Sequence, residues 1–232
     1  MTRYQIFCDF DGTIAAVDVT DSLLAAFAPP AWESVEAEWR GGTITARECM
    51  ARQVALMEVS AVEMDRHLDT IDLDPDFAPF ARECQTAGVS LLVLSDGLDY
   101  AINRILARHG LPDLPVRANR LYRTGPGQVA FGPGASRESC PQGCCKCAVM
   151  AETVAEEDVF SIFIGDGRSD FCGAAKADMV FAKSALLDHC RRQDIPHVGF
   201  EDFAQMRQYL AGLLRWHGTT RPDRTAAMVW GA

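Results

Sequence analysis

The chain has 232 residues, 48% hydrophobic and 23% charged, which suits one large domain or a core with a small insertion. Its 32 acidic and 22 basic residues leave a formal charge of −10, which argues against a broad nucleic-acid or anionic-membrane surface but not against a local pocket for a small phosphorylated ligand. No apolar run approaches the ~20 residues of a membrane span, no secretory leader pattern opens the chain, and nine cysteines, mostly single in apolar contexts, predict reduced thiols and a cytoplasmic location.

Tyr4-Gln5-Ile6-Phe7-Cys8 reads as a buried parallel strand. Asp9-Phe10-Asp11-Gly12-Thr13-Ile14 follows. Two carboxylates at i and i+2 then emerge at a strand end, where α/β sheets place their ligand sites. Acids held so close repel unless a cation or a shared proton offsets the charge. Asp-Gly is also a common turn dipeptide, so a hairpin closing at this point is the alternative.

A helical period runs from about Val17 to Glu58, with Trp32, Val35 and Trp39 on one face. Thr45 to Glu48 and Ser60 to Glu63 read as capping boxes, the first stapled by Ile44 and Cys49. Asp74-Pro75 predicts an N-cap with proline at the first helical position, and Gly88 a C′ residue. A second buried strand, Val89 to Leu94, is expected to end at Ser95-Asp96-Gly97, and Leu98 to His109 is an amphipathic helix. Short strands at Val116–Tyr122 and Gln128–Phe131 flank the turn Gly125-Pro126-Gly127. A cysteine loop and a helix from about Cys147 to Glu156 come next. The third buried strand, Val159 to Ile164, runs into Gly165-Asp166-Gly167-Arg168-Ser169-Asp170. Further strands at Met179–Phe181 and His197–Phe200 each precede a helix. Strands alternating with helices predict an α/β, Rossmann-like doubly wound parallel sheet.

Three strand ends carrying carboxylates and a hydroxyl are hard to explain as turn chemistry alone. Asp9-x-Asp11-Gly12-Thr13, Ser95-Asp96-Gly97, Lys146 and Gly165-Asp166-x-x-x-Asp170 together resemble motifs one to four of the haloacid-dehalogenase superfamily of phosphatases. The branch is the one with an all-helical cap inserted after the first strand. The resemblance implies a core over 1–16 and 74–216, a cap over 17–73 and a C-terminal extension over 217–232.

It also implies roles. Asp9 is the expected nucleophile and Asp11 the general acid and base, with Mg²⁺ held by Asp9, Asp166 and the backbone carbonyl of Asp11. Asp170 is expected as a water-mediated ligand or an orienter. Ser95 and the backbone N–H groups of Asp96 and Gly97 are expected to hold phosphate oxygens, with Lys146 as the positive charge. A solvated loop lysine is the alternative for Lys146.

In the cap, Asp18 stands where phosphoserine phosphatases carry a glutamate that reads the substrate amine; a plain acid at a helix start is its alternative. Arg52 lies one place off the arginine those enzymes use for the substrate carboxylate, a shift of about 100° around a helix. The loop Cys140-Pro141-Gln142-Gly143-Cys144-Cys145-Lys146-Cys147 is similar to two relatives within the branch. These are the phosphatases of 2-hydroxy-3-keto-5-methylthiopentenyl-1-phosphate and those of phosphoethanolamine and phosphocholine. Reduced packing thiols are the favoured reading of Cys140, Cys144, Cys145 and Cys147 over a Zn²⁺ site or a labile disulfide, and a thiolate beside Lys146 is expected to oxidise readily.

The expected activity is hydrolysis of a small phosphorylated metabolite through an aspartyl-phosphate. Transfer of that phosphoryl group to another alcohol, and a binding protein that has lost the chemistry, are the alternatives.

Overall fold

The computed structural model describes residues 3–135, 140–154 and 159–215. The expected C-terminal extension over 217–232 lies outside them. Seven strands form one sheet in the order β4-β3-β2-β1-β5-β6-β7. They are β1 (Arg3–Cys8), β2 (Ser90–Leu98), β3 (Val116–Gly125), β4 (Gln128–Gly132), β5 (Val159–Gly165), β6 (Met179–Ala182) and β7 (His197–Gly199). All neighbours pair in parallel except the β3–β4 hairpin, so the chain is α/β as the alternation of elements predicts.

β1 lies in the middle, with Cys8 level with Val93 of β2 on one side and Ile164 of β5 on the other. These three strands are close to continuous apolar runs, as a sheet covered on both faces requires, and Phe7, Val93, Phe163 and Ile164 are fully buried. The register brings their carboxyl ends to one level, and the strand order reverses direction at β1, which opens a crevice there.

Between β1 and β2 come α1 (Val19–Phe27), α2 (Ala31–Arg40), α3 (Ala46–Val54), α4 (Ala61–Leu68) and α5 (Phe77–Thr86). The single helical period seen up to Glu58 is broken into three helices at Pro29-Pro30 and Gly41-Gly42, where Gly42 takes φ +77°. Ser60 and Glu63 form the reciprocal capping box, and Thr45 accepts from the Glu48 N–H. An antiparallel bridge between Ala15 and Leu73 draws the two ends of the α1–α4 segment together. Leu23, Val54, Met64 and Leu68 of that segment share one apolar cluster with Ile6 and Ile162 of the sheet.

Two sequence expectations shift. α5 starts at Phe77 and not at Pro75, while the Asp74 carboxylate accepts from the N–H of Asp76, as a cap does, and from that of Phe203. β2 does not end at Leu94 but continues through Ser95-Asp96-Gly97 to Leu98, with a register shift against β3 that re-aims these residues. Gly88 does end its helix in the left-handed region, with Val89 N–H bonded to the Cys84 carbonyl.

The remaining helices are α6 (Asp99–Arg108), α7 (Lys146–Thr153), α8 (Phe171–Ala174), α9 (Ser184–Arg192) and α10 (Phe203–Arg215), with a single 3₁₀ turn at Arg168–Asp170. Among the described residues no helix is long and apolar enough to cross a membrane.

Candidate active site

The three buried strands deliver Asp9, Asp11, Ser95, Asp96, Gly97 and Asp166 to the rim of one cavity of about 480 Å³. Asp9 follows the last residue of β1 and is pinned there by its N–H bond to the Ile164 carbonyl of β5. Lys146, the first residue of α7, reaches in from the other side. Its Nζ lies 2.7 Å from Asp9 Oδ1 and 2.5 Å from Asp170 Oδ1, and the side chain is fully buried. The solvated-lysine alternative is thereby excluded. Burial works against the Lys146 charge, but Asp170 and Asp9 outweigh it and hold the ammonium protonated.

Asp170 is also fully buried, and its other oxygen accepts from the N–H groups of Asp166 and Gly167 at 3.0 and 2.9 Å. Both carboxylate oxygens thus meet protein donors, and they tie Lys146 to the turn bearing Asp166. Asp166 in turn accepts from the Thr13 hydroxyl at 3.2 Å. Asp11 accepts from the Val19 N–H at 2.8 Å, the start of α1.

Negative charge is in surplus. Burial pushes the Asp9 carboxyl up, Asp170 adds to it, and Lys146 only partly offsets them. Asp166 is raised by burial and then by Asp170. Burial, with Asp18 next, pushes Asp11 up to about 8. Two glycines make the close approach of these groups feasible. A Cβ on Gly12 would stand 2.6 Å from Asp166 Oδ2, and φ there is +69°. A Cβ on Gly97 would stand 2.5 Å from Asp11 Oδ2.

Within the second motif, Ser95 Oγ accepts from the Gly97 N–H at 2.9 Å, so that N–H is engaged internally where the sequence suggested a phosphate donor. The Asp96 side chain has a separate job. Its Oδ1 accepts from the Cys144 N–H at 2.7 Å and from Asn119 Nδ2 at 2.9 Å, tying the cysteine loop to β2. Asn119, fully buried on β3, also takes the Gly134 N–H at 3.0 Å. Sequence reasoning missed Asn119; a lone polar residue in a β-period stretch was its only signal. It also missed Arg47 of α3, whose guanidinium donates to the carbonyls of Cys140 and Gln142 at 3.3 and 3.2 Å.

From the α1–α4 segment, Asp18, Asp21, Glu36, Trp39, Met50 and Gln53 line the cavity. Asp18 lines the cavity and caps α1 by accepting from the Asp21 N–H at 2.9 Å. Arg52 does not join it. Its guanidinium pairs with Glu38 at 2.7 and 2.9 Å outside the cavity, as the rotation of about 100° around α3 requires. Trp39 lies at the cavity beneath the Arg168 guanidinium, 5.8 Å from its ring centre, while Trp32 packs on the core.

The four-thiol set Cys140, Cys144, Cys145 and Cys147 is not assembled. Cys144 packs beside Phe7 and Leu94, whereas Cys140, Cys145 and Cys147 converge with Cys172 against them. No disulfide links any of these cysteines. Burial pushes Cys140 up to about 11 and Cys144 and Cys147 up to about 12, away from the ready oxidation expected of a thiolate at those three positions.

A family model described as Putative Phosphatase matches residues 4–189. A 2-hydroxy-3-keto-5-methylthiopentenyl-1-phosphate phosphatase of Brevibacillus brevis is 32% identical, the match covering 87% of this chain and 92% of the relative. The phosphatase of the same name from an Exiguobacterium species is also 32% identical, over 90% and 98%. Among solved structures, a substrate-bound phosphoserine phosphatase superposes with a TM-score of 0.68 at 19% identity, covering 90% of this chain and 99% of the other. A phospho-aspartyl intermediate analogue of phosphoserine phosphatase gives 0.66 at 21% identity, with the same coverage. The fold is theirs, and on the family match over most of its length the chain belongs to the Putative Phosphatase family of the haloacid-dehalogenase superfamily, a phosphoric monoester hydrolase.

Proposed function

We propose that this protein hydrolyses a small phosphomonoester through an aspartyl-phosphate on Asp9, with Mg²⁺ as cofactor. The observation that carries the reading is the buried Lys146–Asp9 contact of 2.7 Å beside an Asp11 carboxyl raised to about 8. Asp9 is poised as a nucleophile with its charge partly offset, and Asp11 keeps a proton at neutral pH to give to the leaving alcohol. The Asp9 carboxylate attacks phosphorus as the ester oxygen departs with the Asp11 proton. Asp11, now a base, takes a proton from the water that cleaves the acyl phosphate and restores Asp9. Ser95 stands at the cavity wall, where it holds an equatorial oxygen, and Lys146, buried behind Asp9, supplies positive charge to the transferring group.

The residues fit a hard cation. The Asp9, Asp166 and Asp170 carboxylates each offer an oxygen within 4.8 Å of the others, and the surplus negative charge found there calls for a second cation beside Lys146. Asp9, Asp166 and the Asp11 carbonyl would hold it, with Asp170 behind them. When bound, it supplies charge stabilisation at the transferring phosphoryl group.

We propose further that residues 17–73 act as a cap over the site and choose the substrate. Arg52, one place off the arginine that phosphoserine phosphatases use, pairs with Glu38 away from the cavity and does not supply that guanidinium, which disfavours phosphoserine. The 32% identity to 2-hydroxy-3-keto-5-methylthiopentenyl-1-phosphate phosphatases favours that substrate or a close analogue.

The test is phosphate release from a panel holding that enol phosphate, phosphoserine, phosphoethanolamine and phosphocholine, with and without Mg²⁺. Wild-type protein releases phosphate with Mg²⁺ present, and Asp9→Asn does not. Equal activity of the two, or none on any ester, refutes the reading. Added acceptor alcohols that divert the phosphate would indicate transfer in place of hydrolysis.

A further inference from the structure

Among the described residues, a second group of metal-ligating side chains converges outside the acidic cavity. Cys140, at the start of the loop, and Cys145 and Cys147, on either side of Lys146, bring their sulfurs within 4.8 Å of one another. Cys145 Sγ and Cys147 Sγ are 3.2 Å apart. Cys172, at the start of α8 and two residues beyond Asp170, packs against the same three. These sulfurs come from three separate places in the chain, and among the described residues none of them is disulfide-bonded.

We propose that Cys140, Cys145, Cys147 and Cys172 form a structural site for a thiophilic d¹⁰ divalent cation, Zn²⁺ being the one its chemistry fits. Thiolates held at about 2.3 Å from a tetrahedral ion stand roughly 3.8 Å from each other, and the three-sulfur group already has that scale. Carbon side chains would fill an apolar gap equally well, so packing alone does not explain three sulfurs meeting with a fourth cysteine packed beside them. Oxygen ligands for a hard ion are supplied by the acidic cavity and not here, which separates the two metals by ligand type.

Binding balances as four thiols releasing four protons while four Zn–S bonds form, leaving a net charge of −2 on the cluster. Arg47 is placed to offset part of it: its guanidinium grips the Cys140 and Gln142 carbonyls, and its buried Nε has no hydrogen-bond partner among the described residues. Because the ligating thiols must lose their protons, uptake strengthens with rising pH.

The consequence for the enzyme is positional. Cys145 and Cys147 bracket Lys146, and Cys172 follows Asp170, so one ion fixes the two segments whose side chains meet at 2.5 Å. It acts as a clip between the third and fourth motifs and takes no part in the chemistry.

Protein purified under reducing conditions, without chelator, is expected to hold one equivalent of zinc by elemental analysis, apart from any Mg²⁺. Replacement with Co²⁺ is expected to give sulfur-to-cobalt charge-transfer bands and the intense visible bands of a tetrahedral site. Those bands report thiolate ligation and are silent to Co²⁺ in the carboxylate site. Cys172→Ser, which removes the half-buried ligand, is expected to shift the bands and weaken metal retention at least tenfold. Cys144→Ser is expected to leave both unchanged, because its sulfur lies in the other cluster. No zinc and no thiolate bands in folded protein overturn the proposal, as does a Cys145–Cys147 disulfide under reducing conditions or an unchanged spectrum in Cys172→Ser. Because these readouts are not activity, failure here leaves the phosphatase reading standing, and failure of that reading leaves this one.

Discussion

Lys146 donates to Asp9 across 2.7 Å, with both side chains buried where β1 meets the start of α7. Asp170 shares the same ammonium, so two carboxylates depend on one cation. Lys146→Met would strand both, and removing one partner of a buried pair costs about 3–5 kcal/mol. We expect a large fall in unfolding free energy by denaturant titration, together with loss of phosphatase activity. Adding Asp170→Asn to Lys146→Met is expected to recover part of the stability and none of the activity, which separates the lysine's two roles.

Gly97 lies close against the Asp11 carboxylate. A methyl group there would overlap Asp11 Oδ2 at 2.5 Å and crowd Ser95 Oγ at 3.1 Å. Gly97→Ala is therefore expected to fold and to displace Asp11, lowering kcat by about 100-fold, the size of loss an ångström-scale misplacement can cause. A circular dichroism melt close to wild type alongside that kinetic loss would check it. Gly12→Ala should be worse in both respects, since the same overlap with Asp166 is joined by a left-handed backbone.

Asp11 sets a pH limb. Its carboxyl, raised to about 8 by burial and then by Asp18, is protonated below that pH and ionised above it. The protonated form serves the leaving alcohol, so kcat for an alkyl phosphate is expected to fall as pH rises through about 8. A p-nitrophenyl ester, whose leaving group needs no proton, should lack that limb, as should Asp11→Asn with its residual activity. In the metal-free protein the sign for stability is the same. The folded state holds this proton more tightly than the unfolded chain, so the contribution is complete below the ordinary carboxylate range and is lost as pH climbs to about 8. Thermal melts across that range would show it.

Asn119 anchors the loop that carries Lys146. Replacing it by Leu removes donors from Asp96 and an acceptor from the Gly134 N–H. Leaving such buried groups unpaired costs about 1–3 kcal/mol. The expected outcome is lower stability by urea titration and a drop in kcat with KM nearly unchanged, because Lys146 loses its fixed position while the cap surface is untouched.

Arg52 offers the converse. Its partner Glu38 is exposed and neither residue lines the cavity, so Arg52→Ala is expected to leave kcat/KM unchanged on every ester tested. Asp18→Ala, at the cavity wall, should change the order of preference among those esters.

The sequence by itself determined what is local. Apolar runs of strand length, capping residues and Gly-containing turns depend on neighbours a few residues away, so β1, β5, most of the helices and all four motifs were legible. Asp9, Asp11, Ser95, Lys146 and Asp166 could be singled out because each carries its chemistry in its own residue type.

Tertiary structure alone decided the rest, for one physical reason: a side chain's partner is often far along the chain. Asn119 matters only because β3 lies beside β2 and brings it to Asp96. The rotation of Arg52 was readable from its place in α3, but its partner Glu38 was not, because α2 supplies it from another element. Cys172 replaces Cys144 in the sulfur cluster because α7 starts against α8, turning one cysteine of the loop towards the sheet and the others away from it. Asp9 and Asp11 were visible as a pair from the start. Only the fold gave them a buried lysine at Asp9, an Asp170 that shares it, and the burial that raises both carboxyls.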